Sequence, residues 1–575
     1  MASNIFYTNN ANYFEKGNKL FQLSGRVIQD CYTFSNYNIA TYKKNNNTSE
    51  CDNANIFMSG TLLYNNNKNE KALEDLYKDF SEENGLSQLK IFGSYLIVIM
   101  KNKKAYFIVE KYSKYKAYYY FDGKDFIVST SFFVLAKIIE KKTINNTVLI
   151  ENSFQFSSID GETMINEVRQ IPTHSIMIYN TETKEIEFLK ISKSLISTKN
   201  VHEMQTEIIK VIKEQAKAIN CNYKKTAVNM TWGLDSRFTL GALLSGNCKP
   251  SLLYGVGNSF LTNTFSQDYK IAKKFSKKYK LLLEKMDWND KFCENDNYDQ
   301  LILKYWEYFI LYSANVSILD AYSQKYSNNF DFMDFGYFGE TYRLIEWIDD
   351  MSNPINVDSL IEKYLYFNPY SFLVKPEKFI LEFKDKMIQV LKDFDCENLI
   401  DGETAAKVII QYRASADSFM LNFVNQFTDS FPVIGDSMIL DFNNLINVDS
   451  KRNMKSMLTI MKMLKKDLLQ VPIFSHCRPW RYSSKTSTLK QKKRFINIII
   501  NIPILKPIKK ILKMILKKNI PTNTNNELVK KIDMLQKELR LNLIDARKYC
   551  GDVRALNGYY LNLKLIKCIY TSNVE

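Results

Sequence analysis

Two periods divide the chain. Up to about residue 190, apolar residues come in short runs broken by polar turns: SYLIVIM and AYFIV flank KNKK, KAYYYF and FIVSTS flank Asp122-Gly123, and HSIMIYN and IEFLKI flank TETKE. Runs of this length around turn-forming residues predict hairpins, and a set of them predicts two sheets stacked face to face. SKSLISTKN is polar and turn-prone, so the boundary is placed there. From Val201 the period is helical, with Met204, Ile208, Val211 or Ile212, Ala216 and Ile219 on one stripe. Short apolar runs then alternate with helical stretches: TAVNMT, SLLYGVG, LLLEKMDW and FDFMDFGYFG are separated by segments such as DYKIAKKFSKKY and YDQLILKYWEYFILYS. That alternation predicts a parallel, doubly wound α/β sheet. Past Gly339 the pattern is mainly helical, no internal repeat is visible, and the NNN tracts at Asn45 and Asn65 read as loop tips.

The totals narrow the class. With 575 residues, 45% of them apolar, the chain is too long for one core and apolar enough for two or three. Nine cysteines without a C-x-x-C spacing suggest neither a disulfide framework nor a zinc cluster, and a reducing compartment fits them best. The opening MASNIFYTNNANYFEKGNKL lacks a basic stretch followed by an apolar one, and no apolar run reaches the ~20 residues of a membrane helix. The expected location is the cytoplasm.

The net charge of +16 changes the picture less than its distribution does. Lys485 to Lys518 hold eleven Lys or Arg and no acidic residue, so the rest of the chain carries only +5. Within that segment Ile504, Ile508, Leu512 and Ile515 share a helical face opposite Lys506, Lys509, Lys510, Lys513 and Lys517. Such a helix either packs its stripe on the domain or docks, through about 495–518, on an anionic membrane or an acidic partner. Aromatic interleaving is missing apart from Phe495, so no nucleic-acid partner is expected.

The chemistry concentrates in VNMTWGLDSRFTL, Val228 to Leu240. With TAVNMT as the first strand of the parallel sheet, Thr231 to Ser236 form the turn at its carboxyl end, and a helix begins at Arg237. Ligands of such sheets bind at that edge. The turn offers backbone N–H groups, the hydroxyls of Thr231 and Ser236 and the positive end of a helix dipole, which together cradle an anion. Asp235 is out of place beside an anion unless a divalent cation lies between, so Mg²⁺ with a nucleoside triphosphate is expected. The spacing is not that of a Walker A loop.

The segment resembles the S-G-G-x-D-S pyrophosphate loop of the asparagine synthetase superfamily, with its β-lactam synthetase and lasso-peptide cyclase relatives, and other motifs follow in the family's order. SQDYKIAKKFSKKYKLLLEKM resembles its S-x-D-x-x-x-A-x-x-x-A helix and next strand, FGYFGETYR its S-G-E-G-x-D-E segment, and FTDSFPVIGDSMIL its R-x-P-F-L-D segment. SGTLLYNN, YYYFDGKDFIVSTS and GETMINEVRQIPTHSIMIYN look like its glutaminase-type domain. The resemblance implies an α+β, Ntn-hydrolase-like β-sandwich domain over 1–190, an α/β doubly wound ATP-pyrophosphatase synthetase domain with a helical C-terminal part over 200–520, and a helical extension over 521–575. Glu340 matches the acid that shares Mg²⁺ with the loop carboxylate, so the resemblance assigns the metal to Asp235 and Glu340.

The departures are informative. Ala2 stands where the family's glutaminase exposes a cysteine whose α-amino group serves as base, and Ser59-Gly60-Thr61 replaces the Asn-Gly-Glu that binds glutamine. The resemblance therefore implies a degenerate glutaminase domain and an amine already carried by the substrate. Tyr337 stands where asparagine synthetases carry Glu and β-lactam synthetases Tyr. It would take a proton from the amine with Asp417 as carboxylate partner, or is simply a buried aromatic at a sheet edge. The family's late-loop lysine falls at Trp480 in HCRPWRYSSK, leaving Arg478, Arg481 or Lys485 to supply its charge. Trp232 replaces the first loop glycine, where a missing side chain lets backbone approach phosphate.

The expected activity is that of an ATP-dependent ligase forming AMP and pyrophosphate. Thr231, Trp232, Gly233, Leu234, Asp235 and Ser236 hold ATP, with adenine near Tyr254 and Gly255. A carboxylate of a small molecule or peptide is adenylated, and an amine then attacks to give an amide. Three alternatives stay open: a primary amide such as asparagine made from free ammonia, a binding or scaffold protein that kept the fold and lost ATP, and a nucleic-acid-modifying enzyme, which strong salt dependence of RNA affinity would mark.

Overall fold

The computed structural model describes residues 2–44, 55–83, 85–86, 89–155, 157–191, 199–257, 262–288, 329–396, 399–471, 473–475, 478–480, 522–549 and 553–571. The basic segment 485–518 lies outside the described residues, as do Arg481, His476 and the helical stretch expected around 298–313.

The N-terminal part builds one sheet from β1 (Ala2–Thr8), β2 (Ile28–Thr33), β3 (Asn38–Lys43), β4 (Ile56–Tyr64), β5 (Ile91–Lys101), β6 (Lys104–Val109), β7 (Tyr118–Phe121), β8 (Phe126–Ser129), β9 (Arg169–Gln170), β10 (Ser175–Asn180) and β11 (Ile186–Lys190). The three expected hairpins form: β5 with β6, β7 with β8 and β10 with β11, all antiparallel. Asn102 and Lys103 close the first with positive φ of 50° and 62°, a turn whose twist matches that of the strands. In the second, Asp122 accepts hydrogen bonds from the N–H groups of Lys124 and Asp125.

The two stacked sheets expected from the sequence are two halves of a single curled one, joined where β1 meets β4 at Ala2 and Ser59. Phe126 of β8 stacks on Tyr179 of β10, centroids 4.2 Å apart, although the two strands are distant in the sheet order. Strand β5 explains the layering. Leu96, Val98 and Met100 point between the halves, while Tyr95, Ile97 and Ile99 point outward to helix α2 (Asn69–Asp79). Successive residues of a strand face opposite sides, so a run apolar at every position needs cover on both. Helices α1 (Ala11–Leu23), α3 (Phe132–Ile138) and α4 (Asn146–Ile150) cover the other half.

The second sheet contains β12 (Thr226–Asn229), β13 (Ser251–Gly257), β14 (Leu283–Trp288) and β15 (Phe332–Asp334), all parallel, in the order β14-β13-β12-β15. Helix α5 (Val201–Asn222) enters it through a capping box, in which Asn200 accepts from the N–H of Glu203 and the Glu203 carboxylate accepts from the N–H of Asn200. Helix α6 (Leu234–Ser245) joins β12 to β13, and α7 (Thr262–Tyr279) joins β13 to β14. After the sheet the described chain is mainly helical, including Pro376–Lys392, Gly402–Val424, Ser437–Leu445 and Lys455–Lys465.

The C-terminal helices, Thr522–Glu538 and Val553–Tyr570, return to the N-terminal half. Asn562 donates to the Ser153 hydroxyl at 2.9 Å, Lys137 reaches the carbonyl oxygens of Cys568 and Thr571, and one apolar cluster runs from Phe6 to Ile569. Among the described residues no helix is long and apolar enough to cross a membrane.

Candidate functional site

Strand order places the site. Along β14-β13-β12-β15 the connection leaving β12 runs one way to β13, while β15 lies on the other side, so the crevice at the carboxyl ends of β12 and β15 is the switch point where ligands of such sheets bind. Helix α6 starts at Leu234, three residues before the expected Arg237, with Gly233 as its N-cap and no side-chain cap. Leu234, Asp235 and Ser236 therefore sit in the first helical turn, not in the loop, and their N–H groups belong to the positive helix end.

The loop is tied down from within. The Thr231 N–H donates to Ser236 Oγ at 3.2 Å, the two hydroxyls are 3.1 Å apart, and the Gly233 N–H donates to Thr231 Oγ1 at 3.3 Å. Trp232 turns its half-buried indole onto the core of the sheet, and its backbone N–H donates to Asp268 Oδ1 at 2.7 Å. Beneath it the fully buried Arg237 donates to the carbonyl oxygens of Val471 at 2.6 Å and Trp232 at 3.3 Å.

The connection after β15 closes over this helix end. Gly336 has φ +71°, and a Cβ there would lie 3.1 Å from the backbone N of Ser236. Gly339 comes closer still: a Cβ would meet Asp235 Oδ1 at 2.1 Å and Asp235 Cβ at 2.5 Å. Asp334 pins the turn by accepting from the N–H groups of Gly336 and Val433, each at 2.9 Å, and Tyr342 clamps it by donating to the Ile434 carbonyl at 2.6 Å and standing edge-on to Phe238 of α6. Asp235 and Gly339, far apart in sequence, thus meet at the switch point, with Glu340 the next residue in the chain. The Asp235 carboxylate also accepts from Arg343, Nη2 to Oδ2 3.0 Å.

The remaining expected residues fare differently. Tyr337 is half-buried, stacks on Phe335 and packs on two apolar clusters. Tyr254 and Gly255 lie on β13 beside β12, with the Tyr254 ring 4.9 Å from that of Tyr269. Asp417 falls in the helix Gly402–Val424 and Arg478 opens a short strand paired with Ile473–Ser475, but the side chains of both lie outside the described residues. At the positions that differ from a glutaminase, Ala2 is buried in β1, Ser59 Oγ bonds the Ser3 carbonyl and the Tyr115 hydroxyl, and Thr61 donates to Asn425.

Sequence reasoning missed Asp268, Arg237 and Arg343. Asp268 is the D of the S-x-D helix and Arg343 the last residue of FGYFGETYR, so both lie inside segments that carry the family resemblance. Burial pushes the Asp268 carboxyl up to about 7, against the lowering effect of the Trp232 N–H. Because the folded value exceeds the ordinary 3.8, the ionised form is disfavoured in the folded state, and Asp268 contributes a loss of stability that grows as pH rises from about 4 to about 7. Asp268→Asn keeps the acceptor without the charge. Urea denaturation at pH 5 and pH 8 should therefore show a smaller loss of stability toward high pH in the variant than in the parent; equal losses would contradict this account.

No family model and no curated protein matches the chain. Among solved structures it is similar to one described as the allosteric regulatory enzyme of purine biosynthesis, at 11% identity over 40% of this chain and 60% of that one, with a TM-score of 0.22. It is also similar to the glutamine phosphoribosylpyrophosphate amidotransferase from B. subtilis complexed with ADP and GMP, at 10% identity over 49% of this chain and 65% of that one, TM-score 0.22. The chain spans less than two thirds of either.

Proposed function

We propose that this protein is an ATP-dependent ligase that adenylates a substrate carboxylate at the crevice between β12 and β15 and joins it to an amine. The observation that carries the reading is the close approach of Gly339, the residue before Glu340, to the Asp235 carboxylate in the first turn of α6. An uncapped helix N-terminus at a switch point suits a polyphosphate, and an acid at its centre suits a divalent cation between the two. Asp235 and Glu340 would hold Mg²⁺, which would supply Lewis-acid stabilisation of the charge on the phosphates.

The chain's own residues do the rest. The N–H groups opening α6 face the phosphates, and the hydroxyls of Thr231 and Ser236, already 3.1 Å apart, add donors. Tyr254 and Gly255 on the neighbouring strand offer a surface for adenine. The carboxylate attacks the α-phosphorus and pyrophosphate leaves; the amine then attacks the acyl carbon, its proton passing to Tyr337 in concert with Asp417, and AMP leaves. Arg478 would neutralise the developing oxyanion. Holding both reactants in line supplies much of the acceleration. The buried hydrogen bonds of Ser59 and Thr61 support a degenerate glutaminase-type N-terminal domain, so the amine comes with the substrate or as free ammonia.

A second reading, a binding protein that kept the fold without ATP chemistry, draws on the Trp232 N–H being bonded to Asp268. Calorimetric titration with Mg-ATP, followed by pyrophosphate release with a panel of amino and peptide carboxylates, separates the two. Binding and carboxylate-dependent release are expected; heatless titration and no release would remove the ligase reading.

A further inference from the structure

Arg343 has no task in the reaction above, yet its guanidinium meets the most important carboxylate of the site: Nη2 lies 3.0 Å from Asp235 Oδ2, and the side chains are 33% and 23% exposed. The pair is not needed to hold the turn, which Asp334, the Thr341 hydroxyl on the Phe338 carbonyl at 2.7 Å, and Tyr342 already fix. Ion pairs that solvent reaches contribute little to stability in any case. The carboxylate has little room on its other side, where a Cβ at Gly339 would stand 2.1 Å from Oδ1 and 2.5 Å from its Cβ.

From this juxtaposition we propose that Arg343 is a positioning residue that acts as the resident counter-ion of Asp235, yields the carboxylate to the divalent cation when nucleotide binds, and turns its fork to the phosphate oxygens. The inference rests on the ligase reading. It follows from charge and geometry: one carboxylate with the Gly339 backbone close on one side, a guanidinium on a partly exposed stem on the other, and an anion expected within reach. A planar guanidinium makes paired hydrogen bonds to phosphate as readily as to carboxylate, so the exchange leaves neither charge unmatched.

The test uses the full chain with two probes, Mn²⁺ alone, counted by its electron paramagnetic resonance signal, and Mg-ATP by calorimetry. Arg343→Met removes the competing cation, so Mn²⁺ binding should tighten by roughly fivefold, the scale of an exposed ion pair. Mg-ATP binding should weaken by roughly tenfold or more, the scale of a charge-assisted hydrogen bond. Arg343→Lys, which keeps the charge without the fork, should leave Mn²⁺ affinity near the parent's and serves if the methionine variant fails to fold. Mn²⁺ affinity that is unchanged or weaker in Arg343→Met overturns the proposal, as does unchanged Mg-ATP affinity. Absence of Mg-ATP binding in the parent as well overturns the ligase reading and this inference with it, an outcome distinct from equal binding in both proteins.

Discussion

Lys44→Met should lower the unfolding free energy by about 3–5 kcal/mol, the usual result of leaving a buried charge without its partner. Lys44 is almost wholly enclosed where the N-terminal sheet meets the second one, with Nζ 2.6 Å from Asp429 Oδ1, 2.7 Å from the Gly60 carbonyl and 3.3 Å from Asn425 Oδ1. Asp429 also accepts from the Tyr223 hydroxyl at 2.8 Å, and its carbonyl accepts from the Met333 N–H of β15. Burial, the largest single influence, would raise the Asp429 carboxyl, but the charge and hydrogen bond of Lys44, with the charge of Lys68, together outweigh it and hold the group below its usual range. Burial pulls Lys44 down too, so the pair is unfavourable to desolvate and worse to break. The Asp429 contribution is present above its ordinary value near 3.8 and is lost as pH falls through the lower folded value. Urea denaturation at pH 7 measures the single variant. Combining it with Asp429→Leu should recover much of the loss, because the stranded charge is gone; a double variant as unstable as the sum of the singles would refute the pairing argument.

Gly339→Ala should weaken Mg-ATP binding by roughly a hundredfold, the scale on which an ångström of misplacement at a catalytic constellation acts. The added carbon would stand 2.1 Å from Asp235 Oδ1 and 2.5 Å from its Cβ, and the second contact cannot be relieved by rotating the carboxylate. Either the turn lifts from α6 or Asp235 is displaced, and both separate Asp235 from Glu340. Tyr342 and Asp334 should keep the rest of the turn in place, so circular dichroism should be unchanged and the unfolding free energy should fall only by the roughly 1–3 kcal/mol of local overpacking, while calorimetric affinity falls. Asp235→Ala supplies the comparison, because it removes the carboxylate without moving the backbone. Parent-like affinity in Gly339→Ala would mean that the approach of the two segments is irrelevant to nucleotide, and the crevice would lose its claim to be the site.

Much of this architecture could be read locally. The hairpins at Asn102-Lys103 and Asp122-Gly123, the helix from Val201 and the strands TAVN and SLLYGVG follow from side-chain period and turn chemistry that operate over a few residues. The start of α6 could not, because Leu234 to Ser236 carry no capping signal of their own; Gly233 takes the cap position, and the turn after β15 presses down on the helix end. Two sheets were expected where one curls on itself, since a run such as SYLIVIM reports that both of its faces are covered but not by what.

The sequence alone determined the three hairpins, the helix from Val201, the strands TAVN and SLLYGVG, and the acid Asp235 shortly after the first of these strands, because each depends on neighbours along the chain. Tertiary structure decided that Asp235 meets Gly339 and Arg343, that Asp268 lies buried under Trp232, and that Lys44 finds Asp429 at a separation of 385 residues. Pairing and desolvation depend on which surfaces close together in space. No periodicity within either segment carries that information.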